Sequence, residues 1–276
     1  MVWHNGDLID ADDMRVSPFD LGLTVGLGVF ETMAAYDGRV FAFNLHYERM
    51  VSAAGKLALA VPDAAIIESA IGAVIESNDA QLGRFRIRVT LSSGANPLAG
   101  GDEVAGVMVT ACPAPVRGDK LPVKLVPVPF VINERGATAG LKSTSYADHV
   151  LAYRYALDLG ADEGLMYNSQ GQLAEGTMSN VFLVKDGVVY TPSLVSGCLP
   201  GVTRQLVITL CAELAIPVEE GELGVQEVEQ ADEVFLTSSL REVQAAVLPE
   251  AEPRGVGEFT SRIADAYAVA VREELS

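Results

Sequence analysis

Ala139-Gly-Leu-Lys-Ser-Thr-Ser-Tyr146 places one lysine, Lys142, among small and flexible residues immediately ahead of a long amphipathic run. From Ala147 to Leu159 the side chains Val150, Leu151, Tyr153, Ala156 and Leu157 recur at helical spacing, and Gly160 follows as a glycine C-cap would. The spacing predicts a loop that delivers Lys142 to the start of a helix. A lysine so placed has an amine whose protonation its surroundings can lower, as a nucleophilic amine requires for imine chemistry. Lysines in loops are most often solvated surface charges, so the assignment depends on the rest of the chain.

The 276 residues suffice for one large or two medium domains, and a composition of 49% apolar and 20% charged residues is that of a globular chain. Against 19 Lys and Arg stand 37 Asp and Glu, a net charge of −18 spread along the sequence. Such a surface repels phosphate backbones, so nucleic acid is not expected as a partner. No apolar stretch approaches the length of a membrane span, and Met1-Val-Trp-His-Asn-Gly-Asp7 lacks the basic and apolar regions of a signal peptide. A cytoplasmic location without membrane association is expected. Cys112, Cys198 and Cys211 are odd in number and widely spaced, which fits neither a disulfide framework nor a zinc pattern. His4, His46 and His149 suggest neither a metal site nor a Ser-His-Asp set, so no metal is expected.

Along the chain, residues 1–8 read as a short strand ending at a turn. Asp20-Leu-Gly-Leu-Thr-Val-Gly-Leu-Gly-Val-Phe-Glu-Thr-Met33 reads as a glycine-rich loop entering a strand; a dinucleotide fingerprint would need a helix after the glycines. Asp37-Gly38 marks a hairpin with Val40–Phe43 as the returning strand, and Asn44 is placed to cap a helix carrying His46, Arg49 and Met50. Asp63 opens a second helix with Ile66, Ile67, Ala70, Ile71 and Val74 as its buried stripe. Arg84-Phe-Arg-Ile-Arg-Val-Thr-Leu91 alternates strictly, with Arg84, Arg86 and Arg88 on one strand face. Such arginines are usually solvated, though an anionic substrate has use for one. Pro113–Lys120 has the composition of a linker, so the chain is divided near residue 118 into domains 1–118 and 119–276. Beyond it, strand and helix patterns alternate through Glu163–Tyr167, Asn180–Lys185, a helix from Gln205, the Asp232–Ser239 strand and a last helix over Glu258–Glu274.

Gly201-Val202-Thr203-Arg204 at a helix start offers unpaired backbone N–H groups at the positive end of the helix dipole, an anion site to which Arg49 could add a cation. Ser238 and Ser239, at a strand end, are placed to give hydroxyls to the same anion, or simply to terminate the strand. Glu175 stands among apolar and small residues in Leu173-Ala-Glu-Gly-Thr-Met-Ser-Asn180. If buried it needs a partner, and such an acid can hold a ring nitrogen protonated; the ordinary reading is a surface glutamate.

Gly-Leu-Lys-Ser-Thr-Ser-Tyr ending at Tyr146, Leu-Ala-Glu-Gly-Thr-Met-Ser-Asn-Val-Phe ending at Phe182, Leu-Pro-Gly-Val-Thr-Arg204 and Asp-Glu-Val-Phe-Leu-Thr-Ser-Ser239 together resemble the class IV pyridoxal-phosphate aminotransferases. That group contains branched-chain and D-amino-acid aminotransferases and 4-amino-4-deoxychorismate lyase. Gly-Leu-Gly-Val-Phe-Glu-Thr32 and His46-Tyr-Glu-Arg49 fit as well, so the resemblance covers nearly the whole chain in order. It implies a two-domain α/β fold of the fold-type IV kind, with a small N-terminal domain and a larger, barrel-like C-terminal domain carrying the lysine, and a homodimer. It implies pyridoxal 5'-phosphate as cofactor, with an internal aldimine on Lys142, which then acts as acid and base on the substrate's α proton. Glu175 would bond the pyridine N–H and Tyr146 the ring hydroxyl. Arg49, the amides of Val202 and Thr203, Ser238 and Ser239 would hold the phosphate. Phe30, Arg86 and Arg88 are the candidates for substrate contact.

Two departures bear on the substrate. Members commonly read Gly-Asp-Gly where this chain has Gly26-Leu27-Gly28, and many carry an arginine where Ser93 stands. The expected activity is transfer of an amino group from an amino acid or amine to a keto acid. The alternatives are elimination of pyruvate from aminodeoxychorismate, giving 4-aminobenzoate, and a non-catalytic relative that binds a phosphate-bearing ligand.

Overall fold

The computed structural model describes residues 1–94, 106–114, 121–248 and 255–276. They form two compact units: the chain up to residue 114 with Leu141–Tyr146 and Leu275, and the remainder. The boundary expected near residue 118 lies outside the described residues, as do most of the linker read at Pro113–Lys120 and residues 95–98 of the loop after Ser93.

In the first unit β1 (Val2–His4) and β2 (Asp7–Ile9) are followed by the short α1 (Leu21–Thr24), β3 (Gly28–Tyr36), β4 (Arg39–Val40), α2 (Phe43–Lys56), α3 (Ala64–Ser77), β5 (Arg84–Ser92) and β6 (Gly106–Pro113). The strands form an antiparallel sheet ordered β2-β1-β6-β5-β3-β4. The alternation read in β5 is realised: Ile87, Val89 and Leu91 are buried with Met33, Met50, Ile67, Val74 and Val109 in one core, and the arginines take the other face. The returning strand is shorter than expected. Ala42 adopts a left-handed φ of 56°, which turns the chain into α2 at Phe43 and leaves Asn44 inside the helix instead of capping it. On α3, Ile66 is exposed while Ile67, Ala70, Ile71 and Val74 are buried.

Leu141–Tyr146 packs with this unit, whereas the sequence expectation carries it with the second half. Phe30 N–H donates to the Lys142 carbonyl at 2.9 Å, Thr144 N–H donates to the Gly28 carbonyl at 2.9 Å, and Val29 and Ser143 form an antiparallel bridge. Leu141 is buried in the same core as Val29. Two glycines permit this approach. Gly26 has φ of 71°, and a Cβ there would lie 2.9 Å from Ser145 Cα; at Gly28 it would lie 2.6 Å from the Leu91 carbonyl oxygen.

The second unit holds β7 (Val123–Ile132), α4 (Ala147–Asp158), β8 (Glu163–Asn168), β9 (Leu173–Gly176), β10 (Asn180–Lys185), β11 (Val188–Pro192), α5 (Val202–Glu213), β12 (Val218–Gly221), α6 (Val225–Glu229), β13 (Glu233–Ser238), β14 (Glu242–Val247) and α7 (Glu258–Glu274). Its mixed sheet is ordered β12-β11-β10-β13-β14-β7-β8-β9. The edge strand β9 turns directly into β10, with Gly176 N–H donating to the Ser179 carbonyl at 2.7 Å, so the sheet curls back on itself in the manner of a half-barrel. Phe182 and Phe235 face each other across β10 and β13 and stack at 4.8 Å. α4 buries Ala152 and Ala156, while Val150, Leu151 and Leu157 are exposed, so its inward face is the small-residue one and not the larger apolar stripe. Its end is as read, with Gly160 at φ of 75°. Among the described residues no helix is long and apolar enough to cross a membrane.

The close approach at Gly26 predicts that Gly26→Ala lowers unfolding stability by roughly 1–3 kcal/mol, through a strained left-handed backbone and a clash with Ser145. Gly72→Ala is the control: a Cβ there meets nothing within 4 Å, on α3, so stability should hold or rise by up to about 1 kcal/mol in urea unfolding. Equal losses from both would remove the close approach as the cause.

Candidate active site

In the first unit the acid of β3 and the face of α2 build a buried charge cluster. His46 and Arg49 are three residues apart on α2 and therefore share a face, which meets Glu31. Arg49 Nε donates to Glu31 Oε1 at 2.8 Å and Nη2 to Oε2 at 2.6 Å, a bidentate pair, and His46 Nδ1 lies 2.7 Å from Oε2. Glu31 and His46 side chains are each 2% exposed. Burial alone would raise the Glu31 carboxyl; the Arg49 charge and hydrogen bonds, with help from His46, reverse that and hold it at about 2. Burial pushes His46 down, more than the Glu31 contact raises it, with the charges of Arg49 and Lys142 adding to the lowering. A neutral His46 beside a carboxylate carries its proton on Nδ1 and donates it. The pairing uses two of the five guanidinium donors of Arg49 and orients the fork.

The Lys142 amine stands against two aromatic rings, 4.6 Å from the Phe30 centroid and 5.5 Å from that of Tyr146. Those rings meet edge to face at 5.3 Å. Arg88 lies over Phe30 at 3.8 Å, with Nε donating to Thr90 Oγ1 at 3.2 Å. Burial and the neighbouring Arg86 push Arg88 below its ordinary range, but a guanidinium stays charged at any working pH. Of the two candidate substrate arginines, Arg88 is thus brought to Phe30 and Lys142, while Arg86 is exposed.

In the second unit Glu175, on β9, is buried, and both of its oxygens are engaged. Oε2 accepts from Leu199 N–H at 2.9 Å, and His149 Nε2 of α4 lies 3.2 Å from Oε1. Asn180 Nδ2 donates to the Leu199 carbonyl at 2.8 Å. The loop so anchored runs through Gly201 into α5, whose first residues Val202 and Thr203 are buried and whose cap provides no side-chain hydrogen bond. A Cβ on Gly201 would fall 2.0 Å from Asn180 Oδ1, so only glycine fits there. The Ser238 hydroxyl oxygen accepts from Arg241 N–H at 3.1 Å in the turn to β14, and Ser239 occupies that turn. Thr237 Oγ1, just before them, is buried with no hydrogen-bond partner among the described residues.

The family model for amino-transferase class IV matches residues 28–247. The chain belongs to the class IV aminotransferases. It is similar to a putative branched-chain-amino-acid aminotransferase of Methanocaldococcus jannaschii, 32% identical with 96% of this chain and 94% of that one covered. It is also similar to the aminodeoxychorismate lyase of Bacillus subtilis, 30% identical over 88% and 84% of the two chains. Among solved structures, a branched-chain aminotransferase from Thermoproteus uzoniensis with norvaline superposes with a TM-score of 0.89 at 29% identity, covering 99% of this chain and 95% of that one. The fold is the two-part α/β arrangement of fold-type IV enzymes, and the protein is a pyridoxal-phosphate-dependent aminotransferase. The residues present fit that cofactor. The second unit has an uncapped, glycine-entered helix start suited to a phosphate and a buried acid suited to a ring nitrogen, and the first unit has an amine held against aromatic rings.

Sequence reading gave no role to Glu31, His149 or the buried Glu163. Glu163 accepts from the Thr177 hydroxyl and Met178 N–H and pairs with Arg241 at 3.0 Å. Glu31 had a legible signal, as the one acid in a nine-residue strand whose other members are apolar or small. His149 had none, since its pairing with Glu175 joins a helix to a strand 26 residues on.

Glu31 sets an acid limit. Its folded pKa, about 2, is below the ordinary 4.5, so its contribution is complete above pH 4.5 and is lost as pH falls toward 2. Glu31→Gln should cost roughly 3 kcal/mol at pH 7 by leaving Arg49 without its counter-charge. The gap to the parent protein should narrow steadily below pH 4.5 in denaturant titrations; a gap independent of pH would contradict the assignment.

Proposed function

We propose that Lys142 carries the cofactor and moves the α proton as the enzyme passes the amino group of an α-amino acid to a keto acid. The observation that carries this reading is the pinning of Lys142 to β3 beside Phe30, Tyr146 and Arg88. Pyridoxal phosphate, when bound, supplies a carbonyl that takes up amines and a ring that accepts the electrons left when the α proton departs. Everything else is the work of the chain.

Lys142 supplies the amine at Nζ, which takes the proton from one carbon and returns it to another. Glu175, with a carboxylate fixed on both oxygens, keeps a proton on the ring nitrogen. Val202 and Thr203 amides at the α5 start, the Ser238 and Ser239 hydroxyls, and the Arg49 guanidinium hold the phosphate. The Tyr146 hydroxyl takes the ring oxygen. Arg88 meets the substrate carboxylate and Phe30 packs on the substrate, with Arg86 adding positive potential from its exposed position on the same strand face.

Supporting a reducing, cytoplasmic location, Cys112, Cys198 and Cys211 are all unpaired. A homodimer is proposed from the first unit, where Phe19 at 74%, Leu23 at 63% and Val25 at 65% exposure are apolar surface that a second chain would cover. Similarity to a lyase keeps elimination as the second reading.

Purified protein given pyridoxal phosphate should turn yellow, and borohydride should fix the label on Lys142. Lys142→Ala should abolish conversion of amino acids, and Glu175→Gln should slow it by about a hundredfold. Arg88→Ala should raise KM for the amino acid roughly tenfold or more, the worth of one bond to a charged group. Label on another lysine would overturn the assignment. Steady pyruvate release from aminodeoxychorismate without a keto acid would replace transfer by elimination.

A further inference from the structure

We infer that His149 is a positioning residue for Glu175: its Nε2–H holds the carboxylate in the orientation from which that acid keeps the cofactor's ring nitrogen protonated. The inference rests on the proposed role of Glu175. His149 projects from the first turn of α4, and its Nε2 lies 3.2 Å from Glu175 Oε1. The opposite oxygen, Oε2, accepts from Leu199 N–H at 2.9 Å. The two donors come from different elements and grip opposite oxygens, so the plane of the carboxylate is fixed by both and by neither alone. A carboxylate only accepts, so the proton in the histidine contact is on Nε2 whether the ring is neutral or charged.

This arrangement has a functional logic. Each carboxylate oxygen has two lone pairs, so one bond to each leaves acceptor capacity for a ring N–H. A buried acid with a single fixed oxygen can rotate about its last torsion, a broad and weakly restrained degree of freedom. Rotation would break the geometry that a protonated ring nitrogen needs. Asn180 holds the Leu199 carbonyl at 2.8 Å and thereby steadies the backbone donor. His149 steadies the other oxygen from the neighbouring helix.

The test uses holoenzyme prepared with cofactor labelled with nitrogen-15 in the ring, whose NMR shift reports protonation directly. His149→Leu should move the shift toward that of an unprotonated ring and lower kcat about tenfold, with KM for the amino donor within twofold of the parent. Affinity for pyridoxal phosphate should weaken by a smaller factor. His149→Gln presents an amide N–H at similar reach and should restore both shift and kcat. The melting temperature of each variant separates these effects from loss of fold. Glu175→Gln serves as the reference. If that variant leaves the ring shift unchanged, the role of Glu175 fails, and this inference with it. If Glu175→Gln moves the shift while His149→Leu does not, or if His149→Gln is as impaired as His149→Leu, the positioning role alone is overturned.

Discussion

Two backbone hydrogen bonds between β3 and Leu141–Tyr146 fix where Lys142 is, and the proposed chemistry depends on that placement. A lysine side chain has four rotatable bonds, and ordering it costs on the order of 2 kcal/mol in lost rotamers. Anchoring the backbone to a strand removes the larger uncertainty, and the faces of Phe30 and Tyr146 narrow what remains. The price is paid in sequence: Gly26 and Gly28 must lack side chains so that Ser145, Thr144 and the β5 backbone can come close. The glycine-rich run is therefore steric clearance for a neighbouring segment. It serves the segment around Lys142, 114 residues after Gly28.

The second constraint is electrostatic. The chain carries a net charge of −18, yet the buried glutamates Glu31 of the first unit and Glu163 and Glu175 of the second are each multiply held. Glu31 has a bidentate arginine and a histidine, Glu163 has an arginine, a hydroxyl and an amide, and Glu175 has an amide and a histidine. A buried carboxylate without such partners would take up a proton or unfold its surroundings. Pairing fixes their geometry, and at Glu31 the Arg49 charge also holds the carboxyl well below its ordinary range against the opposing effect of burial. The surface acids need no partners, which is why composition alone spoke against nucleic acid and conveyed no position.

What the sequence made legible follows the range of each interaction. Strand alternation in β5, the glycine end of α4 and the last helix are written in neighbouring residues, and the structure has them where they were read; the glycine-entered α5 is also legible but starts at Val202, three residues before Gln205. The motif around Lys142 was also legible, but the unit it packs with was not. Its bonds run to Gly28 and Phe30, and no local pattern records a partner that distant. The exposed stripe on α4 was misread for the same reason. Periodicity says which side chains share a face, while Ala152 and Ala156 show that the neighbouring sheet selects the face with room for close packing. β14 went unread because its six residues, Glu242–Val247, mix polar and small apolar side chains in a strand defined by pairing with β13 and β7.

Phe30 connects these constraints to selectivity. Both Arg88 and Lys142 lie against its ring, and the ring's quadrupole attracts each cation without cancelling either charge. Arg88 is partly withdrawn from water and has the like charge of Arg86 beside it on the strand, which leaves its own charge poorly balanced. On the proposed reading an incoming carboxylate balances the charge at Arg88, and a plain amine does not. If Arg88 meets the substrate as proposed, preference for amino acids over amines follows from that charge, which β5 and β3 set before any substrate arrives.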